Sequence, residues 1–222
     1  MDNHFSTISG DQELKIPLLK RLFDIVFSFV VIIITLPIFI FTYLIYKIEG
    51  LFFPISRGTL FYKEKRISQG QPFTLRKFRI FKQSVIDQVL KEQGFIHTKP
   101  LEKNLDNLTG TGRLLKKFYL DELPQIFSVL TGQMSLVGPR PWNPVDYQNE
   151  INKGIYRKKI IKAGLTGLVQ ISKGQNGDHK NGVSLDNQYI NFCQENCSGE
   201  ILLLDLKIIG KSLIVLLKGQ GL

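Results

Sequence analysis

From Ile25 to Tyr46 the chain carries no charged side chain: IVFSFVVIIITLPIFIFTYLIY. A helix needs about 20 apolar residues to cross a bilayer core, so this run is long enough to enter one. It lies too far from the N-terminus and is too long for a secretory leader, and no small-residue cleavage site follows it. Pro37 falls near its middle, where a proline removes a backbone donor and kinks the helix. Both flanks are positive, with Lys20 and Arg21 before the run and Lys47, Arg57, Lys63, Lys65 and Arg66 after it. The positive-inside bias therefore holds both ends on the cytoplasmic side. Two arrangements satisfy the composition. One is a kinked helix that enters and leaves the same leaflet; the other is a single-pass helix with a tolerated proline. Residues 1–18 read as a polar lead-in.

The whole chain has 222 residues, room for one medium domain and an anchor, and a formal charge of +10. Such a charge points to anionic partners: lipid headgroups, phosphorylated substrates or nucleic acid. The two cysteines, Cys193 and Cys197, are too few for a disulfide framework. With His4, His97 and His179 scattered, a zinc cluster is also excluded.

Beyond the apolar run, residues 58–79 (GTLFYKEKRISQGQPFTLRKFR) alternate in the manner of a hairpin, with a turn at Gln69, Gly70 and Gln71. Lys63, Lys65, Arg66, Arg76, Lys77 and Arg79 crowd it. They suit a basic face beside anionic lipid, at roughly 1 kcal/mol per cation, and equally a phosphate cradle. Residues 81–112 are polar, with a short helix over Ser84–Gln93 ending at Gly94. Leu114, Leu115 and Phe118 then recur at helical spacing, and Ile126, Phe127, Val129 and Leu130 continue the pattern.

Between these apolar groups stands LDELPQ, residues 120–125. Pro124 is tolerated only in a first turn, so a helix is expected to start at Asp121 or Glu122 and stop before Gly132, with Asp121 available as its N-cap. A helix N-terminus favours anions, and Lys116 and Lys117 are close in sequence, so a carboxylate here is expected to stay ionised near neutral pH. An ionised carboxylate beside cations can attack phosphorus or hold Mg²⁺. Downstream, Pro139 and Pro141 bracket Arg140 and stiffen the backbone that aims it, as bidentate phosphate recognition requires. KAGLTGLVQISKG at 162–174 reads as a glycine turn with a short strand, and VSLDNQYI at 183–190 as a helix start. Residues 201–217 are apolar but carry Asp205, Lys207 and Lys211. They suit a helix on the membrane surface or against the core better than a span.

Taken in order, KRLFD at 20–24, the proline-bearing apolar run, the basic hairpin, LDELPQ, SLVGPRP, GLTGLVQ and LDLKI at 204–208 resemble the bacterial sugar transferases, the monotopic phosphoglycosyl transferases. The resemblance implies an α/β but mostly helical fold. It divides the chain into the lead-in (1–18), a re-entrant membrane helix broken at Pro37 (19–48) and a small cytoplasmic catalytic domain (49–222) with a β-hairpin and surface amphipathic helices. It also implies transfer of a hexose 1-phosphate from a UDP-sugar to undecaprenyl phosphate, with release of UMP, at the cytoplasmic face of the bacterial inner membrane. Mg²⁺ is the implied cofactor, membrane lipids are implied partners, nucleic acid is not, and a homo-oligomer is compatible.

By the same resemblance Asp121 matches the nucleophile and Glu122 its partner, both near the metal. Arg140, Lys116, Lys77, Arg79 and Arg66 match phosphate-binding cations, and Asp186 an aspartate linked to the active site. The chain departs from the pattern at Lys116, where an arginine is usual. It departs again at Leu36 before Pro37, where a small residue is usual and where Thr35 is expected to take over the missing hydroxyl's bond. Leu168 stands for a tryptophan, and Ile80 and Phe81 for the usual end of the hairpin. A cationic anchored adaptor accounts for charge and hydrophobicity equally, but gives no reason for an acid pair before Pro124. A nucleic-acid binder leaves the apolar run unexplained.

Overall fold

A single helix, α1 (Leu18–Phe52), carries the whole apolar run. The computed structural model of the protein describes residues 13–93, 98–172 and 182–217. The lead-in up to residue 12 and the Gly94 stop lie outside these. The expected break does not end the helix: α1 runs from Leu18 to Phe52 with Pro37 inside it, and a proline can bend a helix without ending it. Thr35 does not supply the bond expected of it. Its hydroxyl donates to the Val31 carbonyl at 2.7 Å, not to Ile33, the carbonyl that Pro37 leaves without a donor. Only 11% of the most apolar stretch is buried, so its Ile, Leu and Phe side chains face surroundings other than protein. The helix closes where Phe53 N–H meets the Glu49 carbonyl at 2.7 Å, and Pro54 opens a short 3₁₀ turn, Pro54–Ser56, that prevents continuation.

The described chain divides into two units. The first takes residues up to Ser28, Lys65–Leu75 and Phe127 onward. At its centre the strands β3 (Ser135–Val137) and β4 (Gly164–Thr166) pair in parallel, Ser135 opposite Gly164 and Val137 opposite Thr166. Parallel strands need a crossover, here supplied by α6 (Pro144–Asn152) and α7 (Arg157–Ile160). Gly138 and Gly164 approach closely: a Cβ on Gly164 would collide with the Gly138 backbone, and one on Gly138 with the Lys162 carbonyl. Three further helices, α8 (Leu168–Ile171), α9 (Gly182–Glu195) and α10 (Ser198–Leu217), belong to this unit. Helix α10 buries Ile201, Asp205, Ile208, Ser212 and Val215 and exposes Leu203, Leu206, Leu213 and Ile214, so it is packed on one side and apolar on the other.

The first turns of α1 are built into the same unit. Lys20, Asp24 and Ser28, four residues apart on one face, are buried. Lys20 Nζ meets Asp205 Oδ2 at 2.5 Å and the Tyr189 hydroxyl at 3.2 Å. Asp24 accepts from Ser135 Oγ at 2.8 Å and from Leu136 N–H at 3.2 Å. Arg21 donates to the carbonyls of Val129 and Leu130 at 2.6 and 2.7 Å. These two cations, which the sequence places as the positive flank before the apolar run, are engaged by protein.

The second unit takes Phe29–Glu64 and Arg76–Ile126. It contains α2 (Gln83–Gln93), α3 (Thr98–Glu102), a 3₁₀ turn at Leu105–Asn107, α4 (Gly110–Lys117) and a second 3₁₀ turn at Leu120–Gln125. Its core gathers Tyr46, Tyr62, Phe78, Ile80, Phe81, Ile86, Leu108 and Leu115. The expected hairpin is present as β1 (Phe61–Ser68) and β2 (Gln71–Phe78). Its two turn residues, Gln69 and Gly70, both have positive φ, 50° and 70°, which suits the right-handed twist of the strands they join. The five-residue helix α5 (Ile126–Leu130) follows the second 3₁₀ turn.

Candidate active site

The acid pair of LDELPQ sits on the 3₁₀ turn Leu120–Gln125 in the second unit. Helix α4 delivers the chain to it. Thr109 caps that helix by accepting the Gly112 N–H at 2.9 Å. The carboxylate of Glu49, from the end of α1, receives Gly110 N–H at 2.7 Å and Thr111 N–H at 2.8 Å. At the far end Tyr119 adopts a left-handed conformation (φ 55°, ψ 22°) and redirects the chain. Tyr119, not Asp121, therefore stands at the cap position. The cap role expected for Asp121 is not realised, and its side chain accepts no hydrogen bond from the described residues.

Asp121 is only 9% exposed. Burial, and then the neighbouring Glu122, push its carboxyl up to about 6, while Lys77 and Lys116 pull it back down. It is still mostly ionised at neutral pH, but it is a weaker acid than a helix N-terminus alone would make it. Glu122 is held by Lys77, Nζ to Oε1 2.9 Å. Lys116 is paired with Glu102. The sequence alone gave no partner for either lysine.

Arg79 has a different role from the one its motif suggests. It is fully buried, and its guanidinium donates to three backbone carbonyls: Thr59 (2.8 Å), Phe81 (2.6 Å) and Ser56 (2.7 Å). It lies over the Tyr46 ring at 5.2 Å. Such a group fixes the segment between α1 and β1 and presents no charge to a phosphate.

Arg66, Arg140 and Asp186 belong to the first unit. Arg66 is half-buried on β1. Arg140 is half-buried between its two prolines, and its carbonyl accepts Lys158 Nζ at 2.9 Å. Asp186 is buried, bound by Arg157 at 2.7 Å and by Lys158 at 3.2 Å. Arg157 also pairs with Glu150 and donates to the Gly182 carbonyl at 2.8 Å. Trp142 lies under both cations, 5.0 Å from Arg157 and 5.1 Å from Lys158. Asp186 is thus the hub of a buried ion cluster that tethers the Arg140 loop to α9. Glu150, Arg157 and Lys158 were not singled out from sequence, because they follow no local motif and Asp186, the partner of Arg157 and Lys158, lies 28 residues or more further on. Burial draws the Lys158 ammonium below the usual lysine range, with Asp186 opposing the shift.

Among the described residues no three His, Cys, Asp or Glu side chains gather as a metal cluster. Mg²⁺ does not need one. It keeps several waters and is held by one or two carboxylates together with substrate phosphates, so the adjacent Asp121 and Glu122 fit it.

A long, apolar and exposed helix, with an acid pair flanked by lysines of which Asp121 is buried, suits a membrane-associated protein. Residues 16–219 match the sequence profile of the bacterial sugar transferases, and the chain belongs to that family. It is 33% identical to an uncharacterized sugar transferase of Haemophilus influenzae, covering 100% of this chain and 44% of that one. It is 34% identical to the undecaprenyl-phosphate galactose phosphotransferase of Salmonella typhimurium, over 91% of this chain and 41% of the relative. With the exopolysaccharide production protein ExoY of Rhizobium meliloti it shares 30% identity over 91% and 87% of the two chains. The chain thus spans less than half the length of the first two relatives and most of the third.

Proposed function

We propose that the protein transfers a hexose 1-phosphate from a UDP-sugar to undecaprenyl phosphate, the first membrane step in building a surface glycan. The observation that carries this is Asp121: a buried carboxylate on a tight turn, unencumbered by hydrogen bonds from the described residues, with lysines in electrostatic range.

An Asp121 carboxylate oxygen bonds to the donor's β-phosphorus. The bond from that phosphorus to the bridging oxygen breaks, and UMP leaves with the electron pair. A phosphate oxygen of the lipid then attacks the same phosphorus. The acyl-phosphate bond breaks, and Asp121 returns as carboxylate. Splitting the transfer in this way spares the nucleotide and the lipid from occupying the site together. Lys77 orients Glu122, and Lys77 and Lys116 favour the ionised nucleophile. Lys77 and Lys116, in the same unit as Asp121, are the cations assigned to substrate phosphates; in the first unit Asp186 positions the Arg140 loop. Asp121 and Glu122 would hold Mg²⁺, whose charge would screen diphosphate oxygens that otherwise repel an anionic nucleophile.

The reading places α1 as a re-entrant helix and the catalytic residues at the cytoplasmic face. It is supported by the attachment of the α1 N-terminus, through Lys20, to Asp205 near the far end of the chain. A donor carrying label in its β-phosphate tests the mechanism. Without lipid, label is expected to stay on the wild-type protein and to be absent from Asp121→Asn. A labelled Asp121→Asn protein removes Asp121 from the nucleophile's role.

A further inference from the structure

A cleft of about 410 Å³ opens at the C-terminal end of α1. Tyr43, Tyr46, Lys47 and Leu51 line it from the helix, Arg57 and Leu60 from the segment beyond. All of them belong to the second unit, as Asp121 does. Arg57 Nε is fixed on the Gly50 carbonyl at 2.8 Å, which leaves its two terminal amino groups without a partner among the described residues. Lys47 lies 5.5 Å from the centre of the Tyr43 ring and makes no ion pair there either. The nearest acid along the chain, Glu49, is fully engaged with Ser56, Gly110 and Thr111. The cleft therefore presents two uncompensated cations above tyrosine and leucine side chains, at the end of a helix suited to lipid.

We infer that this cleft binds the phosphate head and first isoprene units of the acceptor lipid. The inference rests on the reading of the protein as a polyprenyl-phosphate transferase. A phosphate monoester carries nearly two negative charges and matches Lys47 and Arg57 together. The phosphodiester of a bulk phospholipid carries one and would leave one cation unmatched. Tyr46 of the cleft shares a core cluster with Leu115 of α4, and Leu120 and Leu123 of the turn that carries Asp121 pack on the same cluster.

The test uses the full chain in nanodiscs, with Lys47→Gln and Arg57→Gln alone and combined. Charging of the protein by labelled donor without lipid is expected to match wild type, which also reports an intact fold. The undecaprenyl phosphate concentration that half-discharges the labelled protein is expected to rise at least about tenfold in the double variant. Binding of undecaprenyl phosphate to Asp121→Asn protein, with and without the two cleft substitutions, reads the same site without turnover. Parental saturation in the double variant overturns the cleft and leaves the covalent reading intact. A wild-type protein that never becomes charged, yet loses lipid binding on Lys47→Gln/Arg57→Gln, does the reverse. A defect that follows the phosphatidylglycerol content of the nanodisc at fixed acceptor assigns the cations to bulk headgroups and also overturns the inference.

Discussion

Asp121 sits at about 6 because burial outweighs its lysines, and this has consequences for both rate and stability. Only the carboxylate attacks, so charging by donor is expected to fall about tenfold per pH unit below about 6, as measured by single-turnover labelling across pH. Lys77→Met removes a charge that favours ionisation, so the acid limb of that profile is expected to move to higher pH. The same burial acts on the fold. A carboxyl raised from 3.8 to about 6 holds, between those values, a proton that the unfolded chain has already lost. Its contribution to stability is fully present below 3.8 and is lost as pH rises through 6. At neutral pH the buried anion therefore costs the fold on the order of 3 kcal/mol. Asp121→Asn is expected to raise the melting temperature at pH 7.5 while abolishing labelling, with the gain fading on acidification to pH 4. An unchanged melting temperature at both pH values would mean that the site is more solvated than its geometry implies.

At the scale of elements, α4 leads the chain into the turn that carries the acid pair, and it packs with no tolerance at Gly112. A Cβ there would strike the Ile80 backbone carbonyl, which cannot swing aside as a side chain can. Gly112→Ala is expected to cost about 2–3 kcal/mol in denaturant unfolding. Gly210, exposed in α10 with nothing near its missing Cβ, makes the contrast. There the same change is expected to stabilise by about 0.5–1 kcal/mol, because alanine only improves helix propensity. Nothing in the residue types separates these two helical glycines; the distinction comes from tertiary packing. The hairpin was legible because its alternation and its two-residue turn are local signals. The pairing of β3 with β4 was not, since each strand is three residues long and its partner lies beyond two helices. The left-handed Tyr119 was equally hidden, because a tyrosine gives no local sign of positive φ, and missing it put Asp121 at a cap it does not occupy. Arg79 looked like a phosphate ligand until its three carbonyl partners were visible.

At the scale of the whole molecule, the question is which side of the bilayer each end of α1 faces. Lys20, in its first turn, is locked by Asp205, which comes late in the chain. Between Phe52 and Asp205 no other described helix is long and apolar enough to cross. On the proposed re-entrant course the chain leaves the bilayer by the face it entered, which puts Lys20 and Asp205 on the same side. Breaking the pair is expensive: Lys20→Met leaves Asp205 buried without its cation, a change that typically costs about 3–5 kcal/mol. Topology is thus tied to folding, and it can be read chemically. In a Cys193→Ser, Cys197→Ser background, single cysteines at the exposed positions Lys15 and Lys103 bracket α1. Both are expected to react with an impermeant maleimide in inverted membrane vesicles, and neither in right-side-out vesicles. Reaction of one from each side would mean that α1 spans the membrane and that the Lys20–Asp205 pair is absent from the membrane-bound protein.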